Sequence, residues 1–284
     1  MQFDTAEKQK ADGAFNELDQ QARQQMRFSS VRLNKGNFFG SGVLVNDISK
    51  KKSGILTAKH NLRFTVNEEE QEDWNDDEVK KKWGPAFLDG MIIGFGGDQL
   101  QPTEYEKLSP DTSTIEFRDG DFSWEYDLMF ISADANKTLL AYVRKYGIAY
   151  GGGLAELAMY KKMQEGVKEM VFVTGFGDVK NHKGQITDHS HPFQLRVASG
   201  AAYLPAVARL PDADNVNVLT TLATDKTSTA GGDSGGPMFW VSPKKQVLLL
   251  GTTLGANYKE KWENDPESIE NNASTYVFRE GKLF

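Results

Sequence analysis

A chain of 284 residues, 39% of them hydrophobic, is long enough for one large domain or two small ones with a sizeable buried core. Its net charge of −7 and pI near 5.3 offer no basic surface to nucleic acid or to an anionic membrane. There are no cysteines, no run approaching the roughly 18 apolar residues of a membrane span, and no apolar h-region in the opening Met-Gln-Phe-Asp-Thr-Ala-Glu-Lys. The expectation is a core that needs no disulfides, a reducing compartment and cytoplasmic residence.

Residues 5–27 predict a helix. Asp4 stands at a capping position with Glu7 three residues on, and Ala11, Phe15, Leu18, Ala22 and Met26 form a stripe three or four apart. Such a stripe predicts docking on the body of the protein, with a partner-binding or removable segment as the second reading. From Phe28 the period changes: Val31 and Leu33, then Phe38–Val45, are two strands joined by a turn at Asn34-Lys35-Gly36-Asn37. After the polar Asn46–Ser53 loop, a buried strand starts at Gly54 and ends on Thr57-Ala58-Lys59-His60. Residues 67–82 are a charge run, with eight acidic positions from Glu68 to Glu78 ahead of Lys80, Lys81 and Lys82. They read as a solvated insertion compatible with helix.

Met91–Phe95 returns to strand character, and in Phe122–Ile131 the acid Asp127 leads straight into an apolar run. Asp119, Asp121 and Asp134 are nearby acids without that placement. Residues 138–168 are helix-tending, and Met170–Gly177 is a strand that turns on Gly175-Phe176-Gly177. His182, Asp188, His189 and His191 crowd a polar loop but match no metal-ligand spacing, so the loop reads as solvated. Gln194–Ser199, Val216–Ala223, Gln246–Thr253 and Thr275–Phe278 are further strands. Many short strands punctuated by turns predict an all-β body.

One hydroxyl stands among small residues in Gly232-Asp233-Ser234-Gly235-Gly236-Pro237. Glycines on both sides allow a sharp turn and close approach to a substrate. They can also aim successive N–H groups at one point, as an oxyanion requires. The run satisfies G-x-S-x-G, but the α/β-hydrolase order puts the histidine after the serine, and all four histidines precede Ser234. An acid–histidine–serine order of the subtilisin kind has no parallel α/β pattern to sit on. A histidine–acid–serine order, for which His60, Asp127 and Ser234 stand in sequence, stays open.

The Ser234 run, the strand ending on Thr57-Ala58-Lys59-His60, the upstream Gly40-Ser41-Gly42 and Asp127 before its strand resemble the trypsin-like (chymotrypsin-fold) serine peptidases, in a cysteine-free form of bacterial type. The resemblance covers roughly residues 28–280. It implies two six-stranded antiparallel β-barrels with an added N-terminal helix. Residues 1–27 would be the extension, 28–131 the first barrel with His60 and Asp127, 132–168 a linker, and 169–284 the second barrel with Ser234. The implied activity is a serine endopeptidase without cofactor or metal, acting on proteins or peptides, with an oxyanion hole from the N–H groups of Gly232 and Ser234. The alternative is a regulatory or binding module on the same fold, gated by an activating protein partner.

Ser228, six residues before the nucleophile, would lie at the base of the substrate pocket. Thr252, Thr253, Leu254 and Gly255 would form one wall and Ser274–Tyr276 the opposite one. With no acid at Ser228 and Asp225 farther off, an apolar or mixed preference before the cleaved bond is expected. Asp233 would be the acid that orders the loop. No Ile-Val-Gly-Gly type of terminus precedes the first strand, so Asp233 is expected to accept hydrogen bonds from backbone or polar side chains, or to meet a Lys or Arg. The intact chain is then competent. Some members bind calcium after the histidine, but the 67–82 run shows no ligand spacing for it.

Overall fold

The computed structural model describes residues 15–36, 38–47, 51–65, 76–95, 104–108, 111, 114–117, 127–150, 169–177, 196–203, 218–223, 232–258 and 269–276. The protein is mostly β, with few helices. Helix α1 (Gln20–Ser29) leads into β1 (Ser30–Lys35), β2 (Phe38–Asp47) and β3 (Lys52–Thr57), then a 3-10 helix (Lys59–Thr65) and α2 (Asp76–Leu88). Strands β4 (Ile92–Phe95), β5 (Glu104–Lys107), β6 (Ile115–Phe117) and β7 (Met129–Ser132) precede α3 (Lys137–Tyr146) and β8 (Ile148–Tyr150). The rest is strand: β9 (Glu169–Gly175), β10 (Arg196–Tyr203), β11 (Val218–Ala223), β12 (Pro237–Val241), β13 (Val247–Tyr258) and β14 (Ile269–Tyr276).

The strands form two sheets. The second closes into a six-stranded antiparallel barrel in the order β10-β11-β14-β13-β12-β9. The first has eight strands where six were expected, ordered β5-β4-β1-β2-β3-β7-β6, with β8 alongside β2. Strand β8 falls in the segment expected to link two barrels, and it pairs parallel to β2, with Val45 opposite Ile148. Helix α3 belongs to the same half. Asn136 caps it by accepting the Leu139 N–H, and Leu139, Tyr142 and Val143 are buried in the core of the first sheet. Among the described residues no helix is long and apolar enough to cross a membrane.

Period-two alternation explains why the middle strands are apolar without a break. Leu44, Ile55, Met129 and Ile131 face a core shared with α2 and α3. Val43, Val45, Leu56 and Phe130, their neighbours on the opposite face, enter a second core with Phe172, Phe239, Val247 and Leu249 of the barrel. A strand buried on both faces reads as a continuous hydrophobic run rather than an alternation. The second core joins the two sheets, and Phe15, Ala22 and Met26 of the N-terminal segment are part of it.

Within the helix expected over residues 5–27, residues 15–17 are helical and the chain breaks at Leu18 and Asp19 before α1 begins. Residues 1–14, including the expected cap Asp4, lie outside the described residues. Asp19 caps α1, accepting the Ala22 N–H at 2.8 Å. The helix continues through Phe28, expected to begin a strand, to Ser29. Phe28 stacks on Tyr146 of α3, with ring centroids 4.7 Å apart. That tertiary contact overrides the local strand preference.

Candidate active site

The register of two neighbouring strands brings an acid to a histidine. In the antiparallel pair β3–β7, Thr57 lies opposite Met129. The residues just beyond Thr57 therefore run beside those just before Met129. The Lys59 N–H reaches the Asp127 carbonyl at 3.4 Å, and the chain then turns into the 3-10 helix at His60. The Asp127 carboxylate takes two bonds from that one residue. The His60 backbone N–H donates to Oδ1 at 2.6 Å, and ring Nδ1 stands 2.5 Å from Oδ2. Asp127 is buried, its side chain 4% exposed, against 13% for His60. A carboxylate oxygen accepts, so in the neutral ring Nδ1 carries the hydrogen and Nε2 is the basic nitrogen.

Ser234 sits in the turn that leads into β12. Gly232 and Gly235 flank this turn in the left-handed region, at φ +88° and +81°. Side chains disfavour that backbone, and a Cβ on Gly235 would also collide with Thr57 Oγ1 and the Ser41 carbonyl. The turn is bonded on every side. The Gly236 N–H donates to the Asp233 carbonyl at 2.8 Å, and the Gly235 N–H to the Thr253 carbonyl at 2.9 Å. Thr253 N–H returns a bond to the Gly236 carbonyl at 2.7 Å. From β2, the Ser41 N–H donates to the Ser234 carbonyl at 3.0 Å, and Ser41 Oγ to the Gly232 carbonyl at 2.8 Å. Close packing of Gly235 on Thr57 and Ala58 sets the turn against the end of β3, where the His60 helix begins.

Asp233 is fully buried. Its Oδ1 accepts the Gly177 N–H at 2.9 Å, and the carboxylate packs so closely on Gly175 that a Cβ there would strike it. A backbone donor, one of the partners left open by the sequence, thus meets the acid beside Ser234. The Gly175-Phe176-Gly177 turn supplies it, and Ser41 Oγ accepts the Phe176 N–H at 2.9 Å in the same network. Among the described residues, no acceptor engages the N–H groups of Gly232 and Ser234.

Of the expected pocket residues, Thr252 and Thr253 are buried on β13, with hydroxyls that find no hydrogen-bond partner among the described residues. Leu254 and Gly255 follow on the same strand, and Ser274 lies opposite Thr253 on β14, so the two expected walls stand side by side in the barrel. Ser228 and Asp225 lie outside the described residues, as do His182, Asp188, His189, His191 and the acidic positions 68–73. Among the described residues, no cluster of three or more acids or histidines is arranged to hold a metal ion. Sequence reasoning passed over Asn61 and gave Ser41 only a place in a Gly-rich strand start. Ser41 lies inside β2, and Asn61 in the 3-10 helix four residues past the end of β3. No family model matches the chain, and no curated protein matches it by sequence.

Proposed function

We propose that this protein is a trypsin-like serine endopeptidase that cleaves peptide bonds through an acyl-enzyme on Ser234. The observation that carries the reading is the double hydrogen bond from His60 to the buried Asp127, beside a glycine-flanked serine held against the same strand end. In this reading the eight-stranded sheet and the six-stranded barrel correspond to the two barrels of that fold, with the site between them.

A neutral hydroxyl is a weak nucleophile, so Ser234 needs a base during attack. As its Oγ bonds to the scissile carbonyl carbon, the proton passes to His60 Nε2. The carbonyl oxygen takes up the negative charge and is stabilised by the N–H groups of Gly232 and Ser234; one such donor is worth about 3–4 kcal/mol. His60 then delivers the proton to the leaving nitrogen, the C–N bond breaks, and an ester remains on Ser234. Water repeats the cycle: Nε2 takes its proton, the hydroxyl adds to the ester, and the acid departs as Ser234 recovers its hydrogen. Asp127 keeps the imidazole in the useful tautomer and stabilises the imidazolium throughout. The steps balance without a cofactor.

The test is labelling of the intact chain with a fluorophosphonate probe, whose phosphorus bonds to the serine Oγ with loss of fluoride. The tag should map to the peptide containing Ser234, and the wild-type chain, unlike Ser234→Ala, should hydrolyse fluorescently labelled casein. A chain that neither labels nor cleaves would leave only the binding-module alternative.

A further inference from the structure

We propose that Asn61 is a positioning residue of this site: its amide ties the nucleophile turn to the helix carrying His60 and so sets the spacing between base and nucleophile. This rests on the reading of His60, Asp127 and Ser234 as a triad. Asn61 is fully buried. Its Nδ2 donates to the Ser234 carbonyl at 3.2 Å and to Thr57 Oγ1 at 2.9 Å. Thr57 gives its own hydrogen to the Ser41 carbonyl, so towards Asn61 it acts as an acceptor, and a carbonyl only ever accepts. Both contacts therefore require the NH2 end of the amide, which settles its orientation. The other end, Oδ1, is buried with no hydrogen-bond partner among the described residues. Gly40 makes the room, since a Cβ there would stand 3.2 Å from Nδ2.

Stability does not account for this amide. Without it the Ser234 carbonyl keeps the Ser41 N–H, and the Thr57 hydroxyl keeps the Ser41 carbonyl. The orphaned Oδ1 is itself a cost to the fold, and an apolar side chain of similar size would orphan nothing. What Asn61 adds is geometry. The peptide plane between Ser234 and Gly235 is held at its carbonyl edge by Ser41 and Asn61, and at its N–H edge by Thr253. Carbonyl and N–H point opposite ways in a trans peptide, so the plane is fixed at both edges, and with it the direction of the Ser234 side chain. Asn61 is the one of these three that adjoins His60, whose N–H is bound to Asp127. Acid, base and nucleophile are linked through it.

The experiment is saturation kinetics of fluorophosphonate labelling, which separates the maximal rate from the half-saturating probe concentration, with thermal unfolding of each variant alongside. Asn61→Leu should unfold at or above the wild-type temperature. Its half-saturation should stay within about twofold while its maximal rate falls roughly tenfold to a hundredfold, the scale of loss from a small misplacement of a reacting group. Should the Leu side chain prevent folding, Asn61→Ala, which only leaves space, carries the same test. If Ser234 labels in the wild type and the variants match its maximal rate, or lose rate only in step with stability, Asn61 is not a positioning residue and the triad reading survives. A wild-type chain that does not label overturns both.

Discussion

Both oxygens of Asp127 are bonded by one residue, the backbone N–H and the ring of His60, so acid and base form a single rigid unit. Under the proposed mechanism that unit fails as a whole. Asp127→Asn is nearly isosteric, but its amide can present an N–H towards Nδ1 and favour the wrong tautomer. Peptide hydrolysis should fall by about 10⁴ with the fold intact. Ser234→Ala and His60→Ala should each cost on the order of 10⁶, and the double variant little more than either. Rates on a labelled peptide decide this: losses that multiply in the double variant would mean the two residues act separately. Small neighbours on both sides made Ser234 conspicuous in the sequence, and a buried strand running into His60 did the same for the histidine. Asn61 was not legible, because a polar residue after a histidine looks like the start of a surface loop. Only the closure of β2 against the Ser234 turn reveals that it is buried.

Strand alternation survived the passage from sequence to structure better than helix bounds did. The hairpin of β1 and β2 and the strand leading to His60 were legible because their apolar residues bury against two cores at once. Strand β8 was not, since Ile148-Ala149-Tyr150 is too short to carry a period and pairs with β2 only after α3 folds back. Within the expected helix, the apolar stripe gave no sign of the break at Leu18 and Asp19, where the side chain of Asp19 caps α1. That cap should be visible in the pH dependence of stability. The Ala22 N–H, ahead of the Lys245 ammonium 3.6 Å away, holds the Asp19 carboxyl below its ordinary value of 3.8. A carboxyl depressed by folding stabilises above its unfolded pKa, and that contribution is lost as pH falls through the lower folded value. Thermal unfolding of the wild type should therefore lose ground to Asp19→Asn, which caps without titrating, as pH drops below about 4. Parallel curves for the two proteins would show that the cap contributes nothing that titrates.

The proposed chemistry depends on two sheets that meet, since His60 follows a strand of the first and Ser234 precedes a strand of the barrel. Their shared core is completed by the N-terminal segment. Phe15 meets Phe172 of β9 edge to face, with ring centroids 6.2 Å apart, and Ala22 and Met26 are buried beside Val43, Val45 and Phe239. Just past α1, Ser30 Oγ and Thr174 Oγ1 hydrogen-bond at 2.8 Å, joining β1 to β9. Full burial of a side chain such as Met26 contributes about 1.5–3 kcal/mol, a sizeable share of the roughly 5–15 kcal/mol that holds a domain folded. The segment is thus built into the sheet interface, and Asp233 already has the Gly177 N–H as a partner without a freed N-terminus. Activation by cleavage and structural dependence on this segment predict opposite signs. We expect the full chain to label at Ser234 with its mass intact. A chain lacking residues 1–27 should unfold at a lower temperature and label more slowly. Labelling at several temperatures, with intact mass read on each sample, compares the two. A full chain that stays silent until a cut within residues 1–27 switches it on would show that the segment restrains the site.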